Sequence, residues 1–269
     1  MFLTRRREHM EKVLPESVAF LLPHQDDEFG VFFAIEQAKR RGARPVCMYL
    51  TDGSFGRNDP ERRNAESRAV LTRLGVAADD IHFVGTHAGF RDGLLYTRLD
   101  DALRAVAAVL DKTPRIRALY FPSWEGGHQD HDATHLIGAV YAAKRGLLGV
   151  ARQFGLYRAA TNPLGLTLFA PLAENGPVAS ELIPWADRRR YLRLALAYPS
   201  QRKVWAVLFP MMAYAYCTKG TQETQGVSLA RIATRPHPGP LLYERRGRAR
   251  YEDFSAAANV FLRSEKLEG

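Results

Sequence analysis

Cysteine is nearly absent from this sequence. Its 269 residues hold two, Cys47 and Cys217, far apart in the chain. That excludes a disulfide-stapled scaffold and suits a reducing compartment. Long apolar runs are missing too. The greasiest stretch, VWAVLFPMMAYAYC over 204–217, is interrupted by Pro210 and falls short of the roughly 20 residues of a membrane span. It reads as a buried helix, the other use being a greasy rim against a lipid-linked substrate. The opening MFLTRRREHMEK carries positive charge with no apolar core region behind it, so no secretory signal is expected. A cytoplasmic protein with no membrane span is the expectation. Internal repeats, low-complexity tracts and a clear linker are also lacking.

Acidic residues are in deficit. There are 38 Lys and Arg against 29 Asp and Glu, a formal net charge of +9. Such a surplus attracts nucleic acid, anionic membranes or phosphorylated substrates. Yet the basic clusters Arg5–Arg7, Lys39–Arg41, Arg188–Arg190 and Arg245–Arg250 are scattered, without interleaved aromatics or a helix-turn-helix. No nucleic-acid partner is expected, and the clusters read as solvated faces in preference to an anion site. Hydrophobic residues make up 46% of the chain and charged residues 25%, which places it among ordinary globular proteins.

The first 145 residues alternate between two patterns. Short β-branched and aromatic runs stand at 17–23, 45–51, 81–85 and 117–122. Segments of helical length separate or follow them, at 29–42, 60–75, 97–113 and 132–146. In the third, Leu99, Leu103, Val106 and Leu110 share one stripe. This order predicts an α/β fold: a Rossmann-like, mostly parallel sheet with helices on both faces. Past residue 145 the pattern loosens. Strands are expected at 152–159 and 166–172, helices at 186–198 and 250–265, with another opening near 201, and a Pro/Gly-rich loop at 235–248. We expect one domain over 1–269, with a core over 1–145 and a smaller α+β extension over 146–269. Whether the chain forms homo-oligomers stays open.

In such sheets, ligands bind at the carboxyl ends of the strands. Two chemically rich segments fall there, PHQDDE at 23–28 and SWEGGHQDH at 123–131, about 100 residues apart. No glycine-rich dinucleotide fingerprint follows the first strand, and the acidic run in its place would repel phosphates. If the chain turns helical after Pro23, His24 and Asp27 share a face at i,i+3, with Asp26 rotated away but near. His128 and His131 have the same spacing. A histidine–aspartate pair with one more histidine is a common set for a catalytic zinc. A dication also explains why three consecutive acids are tolerated. Alone, HQDDE would serve equally as an acidic helix N-terminus; with HQDH on the same edge, a metal centre is the better reading.

PHQDDE followed much later by HQDH resembles the LmbE-like or PIG-L-like zinc de-N-acetylases, whose usual forms are His-Pro-Asp-Asp-Glu and His-Pro-Asp-His. LTDGS, ERRNAESRAVLTRLG, FRDGLL and LALAYPSQ are similar to further segments of that family. The resemblance implies a Zn2+ hydrolase that removes acetyl from an N-acetylated amino sugar. It implies His24, Asp27 and His131 as metal ligands and Asp26 as general base. His128 would be a protonated oxyanion stabiliser oriented by Asp130, and Arg68 and Asp92 would hold sugar hydroxyls. Both usual prolines are glutamines here, Gln25 and Gln129; proline is not a ligand, so the metal assignment stands, but the loop stiffness it provides is lost. The alternatives are an amidase acting on a non-sugar amide, such as a thiol conjugate, and an inactive carbohydrate-binding protein.

Other residues have bland and sharp readings. His135 reads as a helix-face residue in preference to a group backing a ligand, and His82 as packed. His87 and His237 read as outside the crevice, although either would reach it from a loop. Glu28 either hydrogen-bonds a ligand histidine or caps the turn. Trp124 either packs or stacks a sugar. Gly126 and Gly127 either admit a ligand or make the turn.

Overall fold

The computed structural model describes residues 16–55 and 58–267; the Arg5–Arg7 cluster and the expected absence of a secretory signal lie outside them. The elements run β1 (Ser17–Leu22), α1 (Phe32–Arg40), β2 (Arg44–Tyr49), α2 (Pro60–Arg73), β3 (Ile81–His82), α3 (Val84–Ala88), α4 (Leu99–Leu110), β4 (Ile116–Pro122) and α5 (Gln129–Lys144). Then follow β5 (Ala151–Phe154), β6 (Tyr157–Ala159), β7 (Leu166–Leu168), β8 (Val178–Leu182), α6 (Trp185–Ala195), α7 (Arg202–Thr218), β9 (Thr221–Gly226), α8 (Leu229–Ile232), α9 (Leu242–Arg245) and α10 (Tyr251–Ser264).

Seven strands form one sheet in the order β3-β2-β1-β4-β5-β9-β8. The first five are parallel to their neighbours, while β9 pairs antiparallel with both β5 and β8. The mostly parallel sheet read from the sequence is present; the late strands β9 and β8 extend it, while β6 and β7 pair antiparallel as a separate two-stranded sheet. Strand alternation sorts side chains to two cores. Val18, Phe20 and Leu22 of β1 face one side with Cys47 and Tyr49, and Ala19 and Leu21 face the other with Met48. Helices α1, α2, α6 and α7 cover the first side, and α4, α5 and α10 the second. Leu99, Leu103, Val106 and Leu110 all point into the second core.

Strand order reverses between β1 and β4. That is the switch point at which open α/β sheets leave a crevice, and the segments after these two strands carry the two histidine motifs.

Two basic clusters, although largely exposed, also make ion pairs and hydrogen bonds that tie elements together. Arg40 makes a two-pronged ion pair with Asp187 at 2.9 Å for each prong, and Arg190 pairs with Glu36, knitting α1 to α6. Arg188 is buried and donates to the carbonyls of Ile183 and Tyr216. Nor is α7 buried all round: Trp205, Leu208, Met212 and Tyr216 face the core, while Val204, Val207 and Tyr214 are exposed. No described helix is long and apolar enough to cross a membrane. Cys47 is buried and Cys217 exposed, and both are free.

The strand expected at 81–85 forms only over its first two residues, β3, before the chain turns into α3; helices α8 and α9 and strands β8 and β9 escape the sequence pattern. β8 is exposed along its length, so its side chains carry no apolar alternation. β9, TQETQG, is held by pairing on both sides in place of propensity.

Helix α5 crosses β4 closely enough that a Cβ on Gly138 would lie 2.6 Å from the Phe121 ring, which is fully buried and has no room to move. Gly138→Ala gains up to about 1 kcal/mol in helix propensity, but overpacking costs about 1–3 kcal/mol. We expect net destabilisation of about 1 kcal/mol, read as a lower urea midpoint at unchanged slope. A second prediction concerns the β4–α5 loop, where buried Glu125 accepts the amides of Leu156 and Tyr157 at 2.8 and 3.1 Å. Burial raises its carboxyl from 4.5 to about 7 against those hydrogen bonds and Arg158. The folded state therefore binds more protons than the unfolded state between those values, and this group's contribution to stability falls as pH rises through that window. Glu125→Gln removes that titration. Its unfolding free energy relative to wild type should climb between pH 4.5 and 7 and level off above; a flat difference refutes the assignment.

Candidate active site

After β1 the chain turns at Pro23 and enters a single 3-10 turn, Asp27–Gly30. His24 and Asp27 meet, but not by the helical stacking expected: His24 lies before the turn, and Asp26 between them has a left-handed backbone with φ 102°. That conformation is costly for a residue with a Cβ. It is fixed from both sides. Buried Glu28 accepts the Asp26 amide at 2.9 Å, and Arg63 donates to the Asp26 carboxylate at 2.9 Å and to the Gln25 and Gly53 carbonyls. Glu28 is itself held by the Tyr198 hydroxyl at 2.8 Å and touches no ligand histidine.

After β4, Gly126 and Gly127 bring the chain against the Tyr157 backbone. A Cβ on Gly127 would lie 1.8 Å from the Tyr157 carbonyl oxygen. His128 is the N-cap of α5, and His131 stands in its first turn. Strand β1 thus presents His24 and Asp27, and β4 presents His128 and His131, to one point. Asp27 Oδ2 lies 2.9 Å from His24 Nδ1 and 3.4 Å from His131 Nε2. The imidazole centroids of His24, His128 and His131 are 4.7–5.4 Å apart. Ligand atoms of these three fall within 4.8 Å of one another, as do those of His24, Asp92, His128 and Asp130.

The Asp130 carboxylate is placed differently from the expectation. It stands 4.0 Å from His128 Nδ1 but 3.1 Å from His24 Nε2, and it accepts the amides of Gly93 and Leu95 at 2.5 and 3.0 Å. It orients His24. His128 is oriented instead by the Asp130 backbone amide, which donates to its Nδ1 at 3.2 Å. That bond leaves Nε2 to carry the proton of a neutral ring. Burial, then the neighbouring His24 and His131 and the Arg248 charge, hold the His128 pKa well below its usual value. These surroundings favour the neutral ring, whereas the resemblance implies an imidazolium.

The electrostatics of the other groups follow from the carboxylates around them. Burial opposes charge on His24, but Asp92, Asp27 and Asp130 outweigh it and raise its pKa. Asp27 is equally desolvated, yet His131 and His24 pull its carboxyl well below the usual range. Asp92 lies 3.4 Å from His24 Nε2 and 3.7 Å from Arg63; burial would raise its pKa, but these cations lower it. Asp26 behaves oppositely. Desolvation lifts it to about 8 against the pull of Arg63, aided by Asp27 and Glu28.

The cleft above this centre has a volume of about 540 Å³, and Asp26, Asp92 and His128 line its floor. Arg68 does not reach it. It is exposed on α2, over the Phe83 ring and within reach of the Ala78 carbonyl. Helix α2 buries Arg63, Asn64, Ser67, Val70 and Leu71, so Arg68 points about 140° away from Arg63. Arg63 is the cation that the sequence reading missed. The signal for it was the unpaired charge of Asp26 together with the inward stripe of α2. Tyr157 was missed as well; its hydroxyl is 3.4 Å from His131 Nε2.

The two glutamines hold the loops where prolines would stiffen them. Gln25 donates to Asn64 at 2.7 Å, and Gln129 donates to the Gly93 carbonyl at 3.1 Å. His135 is packed, bonded to the Pro122 carbonyl at 2.9 Å and edge-on to Phe121. Trp124 is buried against His135 and Phe254, with its indole N–H on the Thr234 carbonyl at 2.9 Å, so it stacks no sugar. His82 is half-buried in β3, and neither His87 nor His237 lines the cleft.

Residues 19–142 match the family model described as PIG-L, GlcNAc-PI de-N-acetylase. No curated protein matches the chain. Several solved structures share its fold. The A40926 pseudoaglycone deacetylase Dbv21 is 16% identical at a TM-score of 0.60, over 83% of this chain and 99% of its own. The N,N′-diacetylchitobiose deacetylase of Pyrococcus horikoshii is 18% identical at 0.56, over 78% and 82%. The conserved protein TT1542 of Thermus thermophilus is 22% identical at 0.53, over 79% and 94%. That family model lies across β1 to α5, so residues 19–142, which hold both histidine motifs of the cleft, are similar to the PIG-L-type de-N-acetylases, and the solved deacetylase structures share the fold.

Proposed function

We propose that the protein removes the acetyl group from an N-acetylated amino sugar of the N-acetylglucosamine type, with zinc held by His24, Asp27 and His131. The observation that carries this is the Asp27 carboxylate oxygen shared between two imidazoles delivered from strands β1 and β4. The surroundings fit a dication. Asp26, Asp27, Asp92 and Asp130 are all buried or nearly so, and Arg63 is the guanidinium bonded among them. Four carboxylates against one cation is a costly arrangement unless further positive charge is bound. Zinc bound there supplies Lewis acidity toward an acyl oxygen and a water molecule.

The protein's own groups do the rest. Asp26 takes a proton from the attacking water and returns it to the departing amine. Its carboxyl, near 8, is matched to proton transfer at neutral pH. Arg63 and the Glu28 bond hold it in the one orientation that serves. His128 donates its Nε2 proton to the developing oxyanion, with its tautomer set by the Asp130 amide. Asp130, anchored on the Gly93–Leu95 backbone, fixes the His24 ring, as partners of ligand histidines generally do. Asp92 lines the cleft, which supports reading it as the acceptor of a sugar hydroxyl. Arg68 is withdrawn from that role. The sugar assignment draws support from the neighbours' names, the N,N′-diacetylchitobiose deacetylase among them. Two free thiols suit a cytoplasmic setting.

Asp26→Asn keeps the shape of the residue and its bond from Arg63 while removing the base. It should retain a full zinc equivalent by metal analysis and lose about 100- to 10,000-fold in acetate release from N-acetylglucosamine conjugates. Near-normal turnover in the zinc-loaded variant would place the base elsewhere. A wild type silent on every sugar but active on a non-sugar amide would overturn the substrate.

A further inference from the structure

The floor of the cleft is acidic, but its rim is not. Arg202, Lys203, Arg246 and Arg248 line the same 540 Å³ space as His24 and Asp26. Elsewhere the described structure pairs its arginines readily, as in Arg40 with Asp187, Arg44 with Asp80 and Arg145 with Asp111. None of the four rim cations meets a carboxylate among the described residues.

Their positions do not serve the fold. Arg202 and Lys203 are the first two residues of α7, where the helix dipole disfavours a cation. Arg246 and Arg248 flank Gly247, whose φ of +62° makes a turn that a side chain would strain. Arg248 lies over the Phe55 ring at 4.8 Å. Burial, opposed by Tyr157 and joined by the Arg248 charge, presses the Arg246 guanidinium below its usual value, and no carboxylate among the described residues pairs with it. These arginines also stand close to the reacting groups, since the Arg248 charge is felt at His128 and both charges at Tyr157. Val204, Val207 and Leu166 line the cleft between its polar parts.

A neutral sugar amide gives no reason for four unpaired cations at the mouth of its pocket. An anion would be repelled by the aspartates below and held by the rim above. We infer that Arg202, Lys203, Arg246 and Arg248 form an anion subsite for a phosphate or diphosphate joined to the amino sugar, with the amide directed at the floor. This rests on the deacetylase reading. The apolar wall of α7 runs beside the subsite and suits a phosphate that continues into an apolar chain. The alternative source is the phosphate of a soluble nucleotide or sugar phosphate.

Acetate release is measured on methyl N-acetylglucosaminide, N-acetylglucosamine 1-phosphate, a nucleoside-diphosphate N-acetylglucosamine and a polyprenyl-diphosphate N-acetylglucosamine in detergent. The zinc enzyme should favour phosphorylated substrates by at least about tenfold in kcat/KM, carried by KM and eroded by salt. In the double variants Arg246→Gln/Arg248→Gln and Arg202→Gln/Lys203→Gln, the ratio of anionic to neutral substrate should collapse toward unity. Calorimetry with pyrophosphate and zinc-free protein gives a readout independent of turnover, and the same variants should weaken binding at least about tenfold. Preference for the polyprenyl substrate over the soluble phosphates assigns the lipid source, and equal rates assign the phosphate alone. Acetate release without phosphate preference, in wild type and variants alike, overturns the subsite and leaves the deacetylase standing. Pyrophosphate binding that depends on these residues, with no sugar deacetylated, keeps the subsite and removes the deacetylase. Absence of both overturns both.

Discussion

Everything at the carboxyl edge of the sheet depends on how four buried carboxylates are compensated. Two carboxylates about 4 Å apart, at an effective dielectric of about 20, repel by about 4 kcal/mol, and here Asp26, Asp27, Asp92 and Asp130 share one small volume. The fold divides the problem. Asp26 is given to Arg63, while Asp27, Asp92 and Asp130 are given to histidines that bind a proton or a metal. That division also keeps the carboxylate on the guanidinium out of the histidine cluster. Burial, aided by Asp27 and Glu28 and opposed by Arg63, lifts the Asp26 carboxyl to about 8.

The segments that build this edge were legible in the sequence because each obeys a local rule. Alternation in β1 and β2, the Leu99–Leu110 stripe and the placement of both histidine motifs after strands all survive in the structure. Partners set by three-dimensional packing were not legible. Arg63 and Arg68 stand in one basic stretch of α2, and only the register of that helix against the sheet decides which of them faces Asp26. The sequence places Asp130 two residues from His128, yet α5 begins at Gln129 and carries its carboxylate to His24. Glu28 and Trp124 resolve to their bland readings because each finds its partner in a distant segment, Tyr198 and Thr234. Polar strands such as β9 have no pattern to read, since pairing alone holds them.

The replacement of both motif prolines by glutamine shows how preorganisation is conserved by other means. Proline limits a loop by fixing its own φ. Glutamine has no such hold, and here it limits the loop by bonding outward: Gln25 to α2 and Gln129 to the Gly93 carbonyl. Those targets matter. The Gln25 bond ties the first motif to the helix that supplies Arg63, and the Gln129 bond ties the second to the backbone that anchors Asp130. Each tether therefore couples a ligand loop to the group that compensates its charge, which a proline does not do.

The last part of the chain completes the cleft without adding to the floor. Arg202 and Lys203 at the start of α7 and the Arg246–Arg248 turn place cations above a centre whose carboxylates come from the first 130 residues. The acidic floor has little freedom to change, because each carboxylate there is paired with His24 or Arg63. The rim has no such constraint. Its cations are unpaired among the described residues, and exchanging one breaks no hydrogen-bonded pair. Specificity is therefore free to vary in the part of the fold least constrained by sheet and metal, and its sign here is positive because what lies beneath it is negative.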